Sequence, residues 1–284
     1  MPQRVLAPIE YETFSPFMNM DFPLLRFLLD SSYIMLRIEL TCIVLSLCFL
    51  VFYFFQKISP KYLFGDDGPY AGYIYNAMGV LFSIVFAFIT VLVWQSYNNV
   101  SDSVTKEASH LNNIYRLYSA FPSELERSGQ ESLRSYTKTV IQDEWPLMKK
   151  DQFSPEAYKK LLAMEEKIIK YQPQNSSQSN AHQQMLRLIT EYSELRRSRI
   201  YNAQFALAPP AWIGLISSSL IFLFFSCLFK MSSARNHLIL ITFLVLTVVG
   251  VVYFLMLYIH PFLGPMAIGP EPFQRLLDFN WTFK

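Results

Sequence analysis

Charge is what this chain is short of. Asp, Glu, Lys and Arg make up only 16% of its 284 residues, against about 25% in soluble domains, and the shortage is local. No charge of either sign occurs at 40–56, 68–101, 200–229 or 236–270, while the stretch from Val100 to Arg199 holds 28 of the 46 charges. A net charge of +2 is too small to argue for nucleic acid, so no such partner is expected. Cysteine is nearly absent too. Cys42, Cys48 and Cys227 all fall in apolar runs, which excludes a disulfide framework and a CxxC metal pair. The four histidines are scattered and no GxGxxG, P-loop, HExxH or GxSxG occurs, so neither an enzyme nor a cofactor is expected. The N-terminus lacks a cleavable signal pattern, because Glu10, Glu12, Asp21 and Asp30 precede the first apolar run.

What is present is 52% hydrophobic and 16% aromatic. Each charge-free run holds 17 residues or more, enough to cross a hydrocarbon core of about 30 Å at about 1.5 Å per residue. The runs predict an all-α integral membrane protein with four spans, near 39–56, 71–94, 212–229 and 238–259. The chain divides into a tail with an interfacial helix from Asp21 (1–37), spans one and two (38–95), a soluble helical bundle inserted between spans two and three (96–204), spans three and four (205–260) and a C-terminal tail (261–284).

Span two has no Gly or Pro between Gly79 and Phe121, and Val104, Ala108, Leu111, Tyr115 and Tyr118 carry a helical period beyond it. Span and stalk are therefore expected to form one rod. Ser123 with Glu126, and Ser154 with Pro155, mark helix starts; QPQNSSQSN at 172–180 reads as a polar loop. Further bundle helices are expected near 123–149, 155–171 and 181–204, and a short amphipathic helix at the C-terminal end. An even number of spans puts both termini and the bundle on one side. Seven basic residues flank the spans there, including Arg37, Lys106 and Arg275, against Lys57, Lys61, Lys230 and Arg235 on the other, which favours a cytoplasmic bundle.

No span carries an acid or base at its middle, the usual mark of a proton-coupled transporter. Span two does carry a seven-residue stripe, Asn76, Ser83, Thr90 and Tyr97, beside Gly79, Phe86 and Val93. Small side chains at this spacing suit close helix packing. They also suit a pore, with Asn76, Gly79, Ser83 and Thr90 along its wall and Phe86 as an apolar constriction. Met78, Leu81, Val85, Phe88 and Leu92 lie on the opposite face and suit lipid. Arg196, Arg197 and Arg199, just before span three, would anchor to lipid headgroups or gather anions at a pore entrance.

Four stretches carry a family resemblance: GVLFSIVFAFITVLVWQSYNNV running into TKEASHLNNIYRLY (79–118), YTKTVIQDEWPLM (136–148), LRRSRI before PPAW (195–212) and HPFLGPMAIGPEPF (260–273). In these the chain resembles the bacterial bestrophin-like family, itself distantly similar to bestrophin ion channels. EWP and HPF-x-G are the most specific elements, and the resemblance spans about residues 36 to 277. It implies a homo-oligomer in the bacterial inner membrane, with cytosolic termini, that passes small ions, mostly anions, along span two. The signature loops of true bestrophins are absent here, so conduction and subunit number are implied by the relation alone. A membrane sensor or scaffold whose bundle binds a protein is the alternative, and an enzyme acting on lipid a third.

Overall fold

The computed structural model describes residues 33–58, 68–203, 207–229, 231 and 233–281. Among these every regular element is a helix. Four helices are long and apolar enough to cross a membrane, which makes this a membrane protein. The interfacial helix expected from Asp21 lies outside the described residues.

Helix α1, Tyr33–Ile58, is followed by α2, Gly68–Leu117. With no Gly or Pro from residue 80 to 120, nothing interrupts the hydrogen-bond ladder of α2, and it runs 50 residues. That is about 75 Å, more than twice a hydrocarbon core. Its second half must therefore stand outside the bilayer, as the charge map requires. Helices α7, Pro209–Leu228, and α8, Ala234–Tyr258, complete the spans. Pro209 and Pro210 begin α7 three residues before the expected start, because the first helical turn needs no N–H donor. Ser233 caps α8, its hydroxyl accepting the Asn236 N–H. The spans share two apolar cores. One gathers Phe86, Val93, Trp212, Leu215, Leu255 and Met256; the other gathers Cys48, Phe52, Leu223, Ile241 and Val245.

Between the second and third spans come α3, Ser123–Thr139, a π-helical turn at Val140–Glu144, α4, Trp145–Met148, α5, Pro155–Ile169, and α6, Ser176–Tyr201. The widened turn precedes Pro146, which has no N–H for the carbonyl one turn back. Ser154 caps α5 as expected, accepting the Ala157 N–H at 3.1 Å. Two local expectations need correction. Pro122, not Ser123, takes the cap position of α3, and no side chain caps it. The polar stretch 172–180 is only half loop, because the Asn175 side chain accepts the Gln178 N–H at 2.9 Å and starts α6 five residues early.

The stalk half of α2 and α6 form the main helix pair of this charged half. Val100, Val104, Glu107, Leu111, Ile114 and Tyr118 face Met185, Ile189, Tyr192, Arg196 and Arg199, all buried. Both series step by alternating fours and threes, the spacing of two helices packed side by side at a small angle. The C-terminal segment folds back on this core through Phe262, Phe273, Leu276 and Trp281. Its short helix, α9, is Glu271–Arg275.

Candidate functional site

The stripe on span two divides in the structure. Phe86 is 5% exposed and packs with Phe82 against the core that α2 shares with α7 and α8. Gly79 is also turned inward. A Cβ there would meet the Phe222 ring at 3.3 Å, so the absent side chain lets α2 and α7 approach. Asn76 and Ser83 remain exposed, whereas Thr90 and Tyr97 are half-buried. The reason is geometric. A seven-residue stripe on a straight helix drifts by about 20° per repeat, so the line turns from the open side toward the packed interior as it descends. Phe86 thus serves the chain's own packing. Ser83 donates to the Gly79 carbonyl at 2.7 Å and Thr90 to that of Phe86 at 2.8 Å, so both hydroxyls are satisfied within the helix. On the opposite face Leu81, Val85, Phe88 and Leu92 are all more than half exposed.

A second constellation lies where the stalk, α4, α6 and the C-terminal segment meet. Arg199 is 0% exposed. Its Nε donates to Glu107 Oε2 at 2.6 Å, and its Nη2 donates to Glu107 Oε1 at 3.0 Å and to Glu144 Oε1 at 2.7 Å. Arg196 forms a two-point pair with the same Glu144. Tyr192 donates to Glu107 Oε1 at 3.1 Å, so the 2.6 Å contact between the Tyr136 and Tyr192 oxygens is donated by Tyr136. The Arg199 guanidinium also lies 4.8 Å from the Trp145 ring centroid and 5.9 Å from that of Phe273.

Two carboxylates and two guanidiniums thus balance in the protein interior. Balance matters because a buried ion that loses its partner costs about 3–5 kcal/mol. Burial pushes the Glu144 carboxyl up, but Arg199 and Arg196 beside it outweigh that and hold it below the usual carboxylate range. Burial likewise works against the Arg199 charge, and Glu107 and Glu144 more than restore it. Burial raises both Tyr136 and Tyr192 out of the titrating range, so they remain hydrogen-bond donors. Among the described residues no group of three or more His, Cys, Asp or Glu is placed to hold a metal ion.

The C-terminal segment closes this junction. The Trp145 indole N–H donates to the Ile268 carbonyl at 3.0 Å, and its ring meets Phe262 and Phe273 edge-on. Gly264 takes a φ of 95°, open to glycine at little cost, and lets the chain double back so that the Ile268 N–H reaches the Pro261 carbonyl. His260 Nδ1 accepts the Phe262 N–H, so its Nε2 carries the proton donated to Asp151 at 3.0 Å.

Of the three arginines read at the surface, only Arg197 is exposed; Arg196 and Arg199 point into the protein, away from any headgroup layer. Glu107, Glu144, Tyr136 and Tyr192 escaped the sequence reading. Their mark was present: Glu107 and Arg199 interrupt apolar series stepping by fours and threes, which puts a charge on a buried face. Each of the four family-like stretches contributes to the junction, through Glu107, Glu144 with Trp145, Arg196 with Arg199, and Phe262 with Phe273. The bestrophin-like domain family model matches residues 42–273, most of the chain, and the protein belongs to the bestrophin-like family. Neither the curated proteins nor the solved structures give a match.

Proposed function

We propose that this bestrophin-like protein is a homo-oligomeric channel for small ions, chiefly anions, in the bacterial inner membrane, with span two at the axis. The reading is carried by family membership over residues 42–273, joined to the single rod that α2 makes of span and stalk. In this arrangement residues 96–204 are a cytoplasmic bundle inserted between spans two and three, and both termini share its side. Asn76 and Ser83, polar and exposed on the span half of α2, line the axis with Thr90 below them. Gly79 and Phe86 hold the span against α7 and α8 and act on conduction through that packing. Exposed Arg197 remains available to headgroups or ions. No catalytic role is assigned.

Flux from reconstituted liposomes tests this directly. Wild type should release chloride, Ser83→Phe should strongly reduce the release by filling the axis, and Phe88→Ala should leave it unchanged. Equal flux from wild type and Ser83→Phe removes span two from the pore. A folded, oligomeric protein that passes no ion favours the sensor reading, for which an open polar groove of about 860 Å3 at the far end of the stalk, bordered by Asn113, Arg116, Gln184 and Arg187, is the natural place.

A further inference from the structure

His110 lies on the outer flank of the stalk, facing α6. Its Nδ1 is 2.9 Å from the Lys106 carbonyl oxygen, and its Nε2 is 3.1 Å from Glu191 Oε2. A carbonyl oxygen can only accept a hydrogen bond, and so can a carboxylate. Both ring nitrogens must then donate, which the neutral imidazole cannot do and the imidazolium can. Glu191 is also approached by Arg187 Nε, 3.5 Å from its other oxygen, so the carboxylate accepts on both sides. The remaining charged groups within a turn of the pair are Lys106 and Glu107 on α2 and Glu194 on α6. Glu107 is turned away into the core against Arg199. The His110 side chain is 23% exposed, enough for a proton to exchange with solvent.

We infer that His110 and Glu191 form a proton-dependent latch between the stalk and α6. When the ring is doubly protonated, a charge-assisted bond crosses between the helices while the second nitrogen is anchored on its own helix. Loss of one proton to solvent leaves one donor for two acceptors, so one contact lapses and the ion pair is gone in either tautomer. The two helices joined here are the cytosolic extensions of spans: α2 continues span two, and α6 leads to Pro209 and span three. The pair sits about 24 Å along the stalk beyond Trp94, at about 1.5 Å per residue, so protons act on how these two extensions pair outside the membrane. The inference does not depend on conduction.

Hydrogen exchange of the full-length protein in lipid nanodiscs tests it, at about pH 5.5 and about pH 8, either side of the range in which histidine changes charge. After correction for intrinsic rates, amides of α6 around Glu191 should lose protection by roughly three- to tenfold at the higher pH, the scale of one partly exposed charged hydrogen bond. His110→Gln should show the lower protection at both pH values. His110→Lys, permanently charged at both, should show the higher. Equal protection of the wild type at the two pH values overturns the latch, as does a pH effect that survives in His110→Gln or His110→Lys.

Discussion

A buried guanidinium has five N–H groups to satisfy and a charge to balance. Arg199 meets Glu107 and Glu144 through Nε and Nη2, the Met148 sulfur through Nη1, and the faces of Trp145 and Phe273. Replacing it by Leu strands the Glu107 carboxylate in a dry interior and leaves Glu144 to Arg196 alone, so Arg199→Leu should destabilise the protein by about 3–5 kcal/mol. Exposed Arg197→Gln should stay within about 0.5 kcal/mol. Chemical denaturation followed by far-UV circular dichroism in mild detergent compares them. The sign of the pH dependence follows from Glu144, whose carboxyl is held below its ordinary value in the folded state. Its contribution is present above the ordinary carboxylate value of about 4.3 and is lost as pH falls through the lower folded value. Glu144→Gln should therefore flatten the fall in stability on acidification. These residues were partly legible in the sequence: EWP and the arginine run stood out, but a composition count reads arginines beside a membrane as surface groups. Their pairing depends on residues such as Glu107 and Arg199, which are 92 positions apart in the chain.

At the scale of the helix, α2 shows how a pattern read on one element is reassigned by its neighbours. The heptad stripe was legible from Asn76 to Tyr97, and the lipid-facing series from Leu81 to Leu92 is exposed as expected. Which edge of the stripe would be covered was not legible, because α7 and α8 decide it. Phe86 is 5% and Phe88 is 68% exposed, although only Ala87 separates them. Phe86→Ala should therefore leave a void in the span packing and cost about 3 kcal/mol, the low end for buried aromatics because lipid chains can relax into part of the gap. Phe88→Ala should change little. Thermal unfolding in one lipid composition separates the two, and equal losses would show that the buried face of α2 has been misassigned.

For the molecule as a whole, a 50-residue helix and four charge-poor spans leave little choice of topology. Four crossings would put residues 96–204 opposite the loop between spans three and four. In a background with Cys42, Cys48 and Cys227 replaced by Ala, a single cysteine at Arg235 should react with an impermeant thiol reagent from one face. One at exposed Lys167 should react from the other. Labelling of both from one face is incompatible with four crossings. Defined oligomers in mild detergent are the companion expectation, since only 11% of the apolar windows in the first two spans is buried within one chain. That leaves their surface to lipid or to further copies.

The sequence by itself determined the spans, the rod and the charged half, because each follows from local terms: charges do not stay in hydrocarbon, and a chain without Gly or Pro has no reason to end a helix. It also determined the start of α5, where the Ser154 cap acts within one turn. Tertiary structure alone decided which charges are interior. Glu107 and Glu144 have the same composition signature as the exposed Glu131 or Glu194, and only the approach of α6 and the C-terminal segment removes water from one pair and leaves it on the other. Burial is a property of what covers a residue, and the covering elements here come from segments separated by up to 166 positions, as Glu107 and Phe273 are.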